Sequence, residues 1–212
     1  MAPKRSLKER PLDAIYYTFF LIHLLCSLTV NLLVIWPTRA QTIPGLDVVY
    51  RLLKGVVDDY MTQTNDPFML VNWGLVERPW EFAYLKVFLC IEAFVQVPSF
   101  IMGMIGLQKD SASIYPLLLA YSSTAIVTTA TYMHAVIIAP SLSDTTLDPL
   151  SKFYAMSDKG RWTILNPTIV FLLVPGIMWV DMMVRLGRLV KKGAQVEAQR
   201  GRAVVEKNGK AH

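Results

Sequence analysis

The sequence predicts an all-α, polytopic membrane protein: a four-helix transmembrane bundle with both termini cytosolic. Three observations lead there. The 212-residue chain is 53% hydrophobic and only 17% charged, where a soluble domain carries about a quarter charged residues. The apolar residues gather in four blocks, each long enough for the roughly 20 helical residues that cross a hydrocarbon core. The excess positive charge, a formal +5, sits at the two ends. Lys4, Arg5, Lys8 and Arg10 precede the first block. Arg185, Arg188, Lys191, Lys192, Arg200, Arg202, Lys207 and Lys210 follow the last. Basic flanks mark the cytosolic side of a span, and four spans return the chain to the side where it began. The charge therefore describes topology; no aromatic or glycine motif accompanies it to suggest nucleic acid. The chain divides into a basic cytosolic N-tail (1–10), the bundle (11–186) and a basic cytosolic C-tail (187–212).

The first block, Leu12 to Pro37, follows a basic segment as a signal peptide would. Its apolar core exceeds a typical signal core of about 7–15 residues, so it reads as an uncleaved anchor helix with Trp36 at the far interface. The stretch GLDVVYRLLKGVVDDYM then places Leu46, Val49, Leu52, Leu53, Val56, Val57 and Tyr60 on one helical side. It is too charged to span. It suits the membrane interface, or a cap over the mouth of the bundle. Asp66-Pro67 marks a turn.

The second block, Trp80 to Leu107, contains the stretch FLCIEAFVQVPSF. A polar turn, QKDSAS, leads to the third block, Ile114 to Pro140. Its serines, threonines and alanines suit close helix packing. The fourth block runs from Ile164 to Leu186. The tail from Gly187 is charged and glycine-dotted, and reads as mobile. The tryptophans Trp36, Trp73, Trp80, Trp162 and Trp179 read as interface anchors. Cys26 and Cys90 read as small buried hydrophobes, with neither disulfide nor metal spacing between them.

Glu92 is the residue that lipid does not explain. A charged group at the bilayer centre costs about 2.5–3.5 kcal/mol on insertion scales, so it must face inward. A neutral carboxylic acid can donate one hydrogen bond; an ionised one needs a cation or several donors. Gln96 lies one turn on, on the same face, in a position to orient it. Pro98 cannot donate a backbone hydrogen bond to the carbonyl of Phe94, and Pro175 cannot donate one to that of Phe171. Two kinks beside a carboxyl and an amide describe a midplane cavity for a small molecule. Asn31, Thr128, Thr129, Tyr132, His134, Asn166 and Thr168 are the available polar partners, or else polar glue between helices. Asp181 and Arg185, four apart, read as an ordinary surface pair. No nucleophile elbow, zinc motif, phosphate loop or dinucleotide fingerprint occurs, and no cofactor or metal is expected.

With these residues set out, the chain resembles the sigma-2 receptor (transmembrane protein 97) family, a branch of the EXPERA domain proteins. IHLLCSLTVNLLVIWP, NDPF, CIEAFVQVPSF and FLLVP carry the resemblance, which covers about Pro11 to Leu186. It implies an endoplasmic reticulum protein with a lumen-facing pocket for sterols and amphiphilic amines. In that likeness Glu92 is the buried pocket acid and Asp66 the loop Asp-Pro. Asn31 stands where animal receptors carry an aspartate, and Phe171 where they carry a pocket tyrosine. Both departures weigh against strong binding of cationic amines and leave the cavity in place. The composition and lysine-rich tail resemble a fungal group, the efficient mitochondria targeting-associated proteins, which are linked to handling mitochondrial precursors.

The expected function is non-catalytic binding of a sterol or similar lipid. Glu92, Gln96, Asn31, Asp66, Thr128, Thr129 and Phe171 are the ligand-binding residues. Two alternatives stand beside it: an interaction protein serving client precursors, and a sterol isomerase. The histidine and paired acids of the family's isomerases do not map onto this chain. The expected partners are the small molecule, membrane lipid, a second copy of the chain as a homodimer, and client precursors.

Overall fold

A computed structural model describes residues 5–75 and 82–209, so Trp80, Lys4 and Lys210 lie outside it. The described residues form helices and no strand, with one isolated bridge between Ser141 and Met156. The order is α1 (Pro11–Thr29), α2 (Leu46–Thr64), α3 (Pro67–Asn72), α4 (Ala83–Ile91), a π-helical turn (Glu92–Gln96), α5 (Val97–Gln108), α6 (Tyr115–Ile138), α7 (Pro149–Phe153) and α8 (Asp158–Gly209). The protein is an all-α polytopic membrane protein. Three of the described stretches are long and apolar enough to cross a bilayer: Pro11–Thr29, Ala83–Gln108 and Asp158–Arg202. The remaining expected span, α6, has the length at 24 residues, but its serines and threonines make it the most polar of the four.

Proline opens α1, α3 and α6, at the position where its fixed backbone angle suits a helix start and its missing donor is not needed. The first block does not remain one helix. α1 ends at Thr29, and a 3-10 segment, Asn31–Ile35, continues it. α8 instead outruns its block. It passes through Pro167 and Pro175 without a break and continues to Gly209, 52 residues in all, or about 78 Å at 1.5 Å per residue. Pro175 therefore does not open a gap in the fourth span, and the C-tail is a helix rather than loose chain.

α1 and α5 pack together, as do α6 and α8. Phe20, Phe100, Leu118, Tyr121, Met178 and Met182 fill the space between them. Close approach rests on small residues. A Cβ built on Gly103 would lie 2.7 Å from the ring of Phe20, and one on Gly106 2.6 Å from Ile114.

This filled half of the bundle ends in an ionic cluster. Arg10 Nη1 lies 2.5 Å from Asp13 Oδ2, and Arg185 Nη1 lies 2.7 Å from Asp13 Oδ1. Arg10 also donates to the carbonyl of Leu107 at 2.7 Å, and Arg185 holds Asp181 at 2.7 Å. Asp110 joins from the turn, 3.3 Å from both Arg5 and Arg10, and the Tyr16 hydroxyl donates to Asp181. Arg10 and Asp13 are buried. One sequence reading changes here: Asp181–Arg185 is not an ordinary surface pair, and Arg10 joins the same network. Both belong to a partly buried network tying the start of α1, the α5–α6 turn and α8 together.

At the opposite end, α2 and α3 lie across the bundle. Val57 and Met61 of α2 pack with Leu33 and Met69, so this helix caps the mouth. Leu52 remains exposed, as an interfacial helix would leave it. Trp73 packs into the same cluster with the Lys54 ammonium 4.7 Å from its ring centre. Trp162 and Trp179 are exposed. Cys26 and Cys90 are also exposed and free, against the buried reading. Arg161 of α8 donates to the carbonyls of Val136, Ile137 and Ala139, satisfying the end of α6 beside the cap.

Candidate functional site

Between the filled core and the cap lies a cavity of about 390 Å³, within the usual range of small-molecule sites, about 300–1,000 Å³. Its walls come from α1, α2, α3, the α4–α5 helix, α6 and α8. The π-helical turn forms part of one wall. One extra residue enters the turn just before Pro98, which sits in the first turn of α5. The irregularity thus takes the form of a π-bulge rather than a simple proline kink at Phe94. Such single bulges interrupt the regular hydrogen-bond ladder and re-aim side chains. Here Phe94 is 79% exposed to the outside, while Glu92 and Gln96 are each only 6% exposed and line the cavity.

Glu92 has two protein donors, both on one oxygen. Ser27 Oγ donates to Oε1 at 2.5 Å and Asn31 Nδ2 at 2.8 Å. Among the described residues no group hydrogen-bonds to Oε2, and none to the Gln96 side-chain amide. Gln96 therefore does not orient Glu92; Ser27 and Asn31 do. Thr128 and Thr129 line the cavity, but neither reaches the carboxyl. The Thr128 hydroxyl donates back to Thr124 and Ala125 on its own helix, a common use of threonine in a helix.

Asp66 also lines the cavity, yet its oxygens are taken. It caps α3, with Oδ1 accepting from the backbone N–H of Phe68 at 2.8 Å. Oδ2 accepts from the hydroxyls of Tyr60 and Tyr132, each at 2.8 Å. One carboxyl thus joins α2, α3 and α6 at the mouth. Burial pushes its pKa up, and the hydrogen bonds from Tyr132, Tyr60 and the α3 backbone pull partly against that. A carboxyl whose folded pKa lies above its unfolded one stabilises the fold fully below the unfolded value. The contribution is lost as pH rises through the folded value. Thermal stability of the full-length protein in detergent is therefore expected to fall as pH climbs from the ordinary aspartate range toward neutrality. Asp66→Asn should flatten that slope; an unchanged slope in the variant would assign it to another group.

Phe171 lies on the α8 wall, its ring 4.7 Å from that of His23 and nearly perpendicular to it. His23 was not singled out by sequence, and neither was Ser27. His23 lines the cavity, stacked with Phe100 at 4.6 Å, and its Nδ1 meets the Tyr121 hydroxyl at 3.4 Å. His134, the histidine weighed from sequence, is exposed. A signal existed: His23, Ser27 and Asn31 step by four along one face. All seven sequence-predicted site residues line this one cavity, although only Asn31 of the expected partners touches Glu92. No group of three or more His, Cys, Asp or Glu residues able to hold a metal occurs among the described residues.

The arrangement offers a mainly apolar chamber whose polar lining includes Glu92, Gln96, Asn31, Asp66, Thr128 and Thr129. Such a site can hold an oily molecule and fix its single polar end. A sequence model of the EXPERA family (EXPanded EBP superfamily) matches residues 52–182, more than half of the chain. No curated protein is matched by sequence.

Proposed function

Because the chain belongs to the EXPERA superfamily, whose members include sterol-binding and isomerase-type membrane proteins, we propose that it holds a sterol or lipid of similar size in this cavity without altering it. The observation that carries this is that Glu92 and Gln96 both line the cavity, while neither Glu92 Oε2 nor the Gln96 side-chain amide has a protein hydrogen-bond partner among the described residues. A ligand hydroxyl, which donates and accepts, can pair with either group. The aromatic rings of Phe171 and Phe88 and the aliphatic walls take the apolar body. Asn31 supplies no charge, which favours a neutral guest over a cationic amine. We place the protein in the endoplasmic reticulum membrane, within the sigma-2 receptor branch of the superfamily, on the motifs around Glu92.

A photoactivatable sterol tests this. Irradiation of the full-length protein should label peptides from α1, from the α4–α5 helix around the bulge, and from α8. Excess unlabelled sterol should compete. Labelling confined to the outer faces of the helices, or without competition, would contradict the proposal.

One observation favours a second reading, an isomerase that moves a proton on the bound sterol. His23 and Glu92 line the same chamber, and a histidine–carboxyl combination is a familiar source of general acid and base. In this reading Glu92→Gln abolishes double-bond migration in a sterol incubated with the purified protein. Absence of any isomer from the unmodified protein, followed by mass spectrometry with chromatography, removes it.

A further inference from the structure

A second depression lies outside the bundle, on the bilayer-facing side of α6 and α8. Leu172, Gly176, Val180, Val184 and Arg188 of α8 line it at intervals of four, an inclined ridge that turns about 40° around the helix at each step. Ile126 of α6 forms the other bank, and the volume is about 750 Å³. A Cβ built on Gly176 would meet nothing within 4 Å, so the missing side chain deepens the strip. Val180 and Val184 are exposed, which leaves the groove open to lipid along its length.

Its two ends differ chemically. Leu172 and its neighbours are wholly apolar. Arg188 closes the other end, about 24 Å along the helix at 1.5 Å per residue. One leaflet of hydrocarbon is about 15 Å deep, so the groove spans an acyl chain and Arg188 reaches headgroup level. Lys191 and Lys192 follow within the next turn, and all three are exposed. Among the described residues none of the three forms an ion pair. Asp181 is the acid at this end of the groove, and its charge is already held by Arg185 at 2.7 Å and by the Tyr16 hydroxyl.

We propose that this groove binds an acidic glycerophospholipid of the leaflet at the basic end of the bundle. One acyl chain lies along Leu172–Val184, and the phosphate and carboxylate headgroup sits on Arg188, Lys191 and Lys192. The charge selects the occupant. A neutral sterol would fill the apolar strip and leave three cations unmatched, and a second copy of this chain would bring its own cations against them. Each basic side chain near such a headgroup contributes about 1 kcal/mol, or about fivefold in affinity.

Trp179 lies on α8 beside the groove and is partly exposed, which supplies a reporter. The full-length protein is reconstituted in phosphatidylcholine vesicles containing either phosphatidylserine or phosphatidylcholine with brominated acyl chains. The difference between the unmodified protein and Trp179→Phe isolates the quenching of Trp179. Brominated phosphatidylserine should quench more than brominated phosphatidylcholine at equal fraction. Arg188→Gln should lower the relative affinity for phosphatidylserine about fivefold, Gly176→Phe should reduce quenching by both lipids, and Glu92→Leu should change nothing. Equal quenching by the two lipids overturns the proposal, as does an undiminished preference in Arg188→Gln. An Ile177→Cys variant that crosslinks chain to chain would place a second copy in the groove and overturn it too.

Discussion

Asp13→Ala is expected to destabilise the protein by about 3–5 kcal/mol, the largest effect of any single substitution considered. Asp13 is 1% exposed and lies between two guanidinium groups. The cluster is balanced, with Arg5, Arg10 and Arg185 facing Asp13, Asp110 and Asp181. Removing one acid leaves Arg10 buried with only Asp110, at 3.3 Å, as a counter-charge. The loss arises from that uncompensated cation rather than from the intrinsic strength of the pair, because a buried ion pair gains little net energy over apolar residues that fill its space. The paired replacement Arg10→Met with Asp13→Leu should therefore remain much closer to the unmodified protein. Thermal unfolding in a single detergent distinguishes the two. Similar melting temperatures for Asp13→Ala and the unmodified protein would show that the cluster is not buried as described.

Glu92→Leu is expected to separate binding from stability. The substitution removes the acceptor for Ser27 and Asn31, but it also removes a buried carboxyl from an apolar wall. Its effect on unfolding is the small difference of these terms, and residues kept for function often carry such a stability penalty. Binding is another matter. A guest hydroxyl loses its main polar contact, about 1.4 kcal/mol or tenfold in affinity. Glu92→Gln keeps a carbonyl oxygen and a donor at the same place and should lose less. A stable Leu variant with tenfold weaker sterol binding identifies a ligand contact; equal losses of stability and binding would identify a packing role instead.

Much of this was legible in the residues. The apolar blocks gave the all-α membrane fold, and the one carboxyl that lipid cannot accommodate pointed to the cavity. Asn31, Thr128, Thr129 and Phe171 lie on its walls because polar or aromatic residues at those depths have few places to face but inward. The π-bulge was not legible. Pro98 signals an irregularity, but whether the helix kinks or widens depends on what packs against it. The partners of Glu92 were half legible. The spacing of Asn31 from Ser27 and His23 marks a polar stripe that runs from α1 into the 3-10 segment after it.

The ionic cluster was hidden for another reason. Its members are separated by as many as 172 residues, as Asp13 and Arg185 are, and no local pattern records such a meeting. Gly187, Gly193 and Gly201 suggest breaks in the C-terminal stretch, which is nonetheless helical. Each glycine costs about 1 kcal/mol against alanine in a helix. The leucine, lysine, arginine, glutamine and alanine residues between them favour the helix, which already runs in from the membrane.

The most direct measurement is the affinity of a radiolabelled sterol for purified full-length protein, compared between the unmodified chain and Glu92→Leu at matched folded fraction. Saturable binding, weakened about tenfold by the substitution, is the predicted result. Identical isotherms for the two proteins, or no saturable binding to either, would contradict the claim that this carboxyl anchors a guest in the cavity.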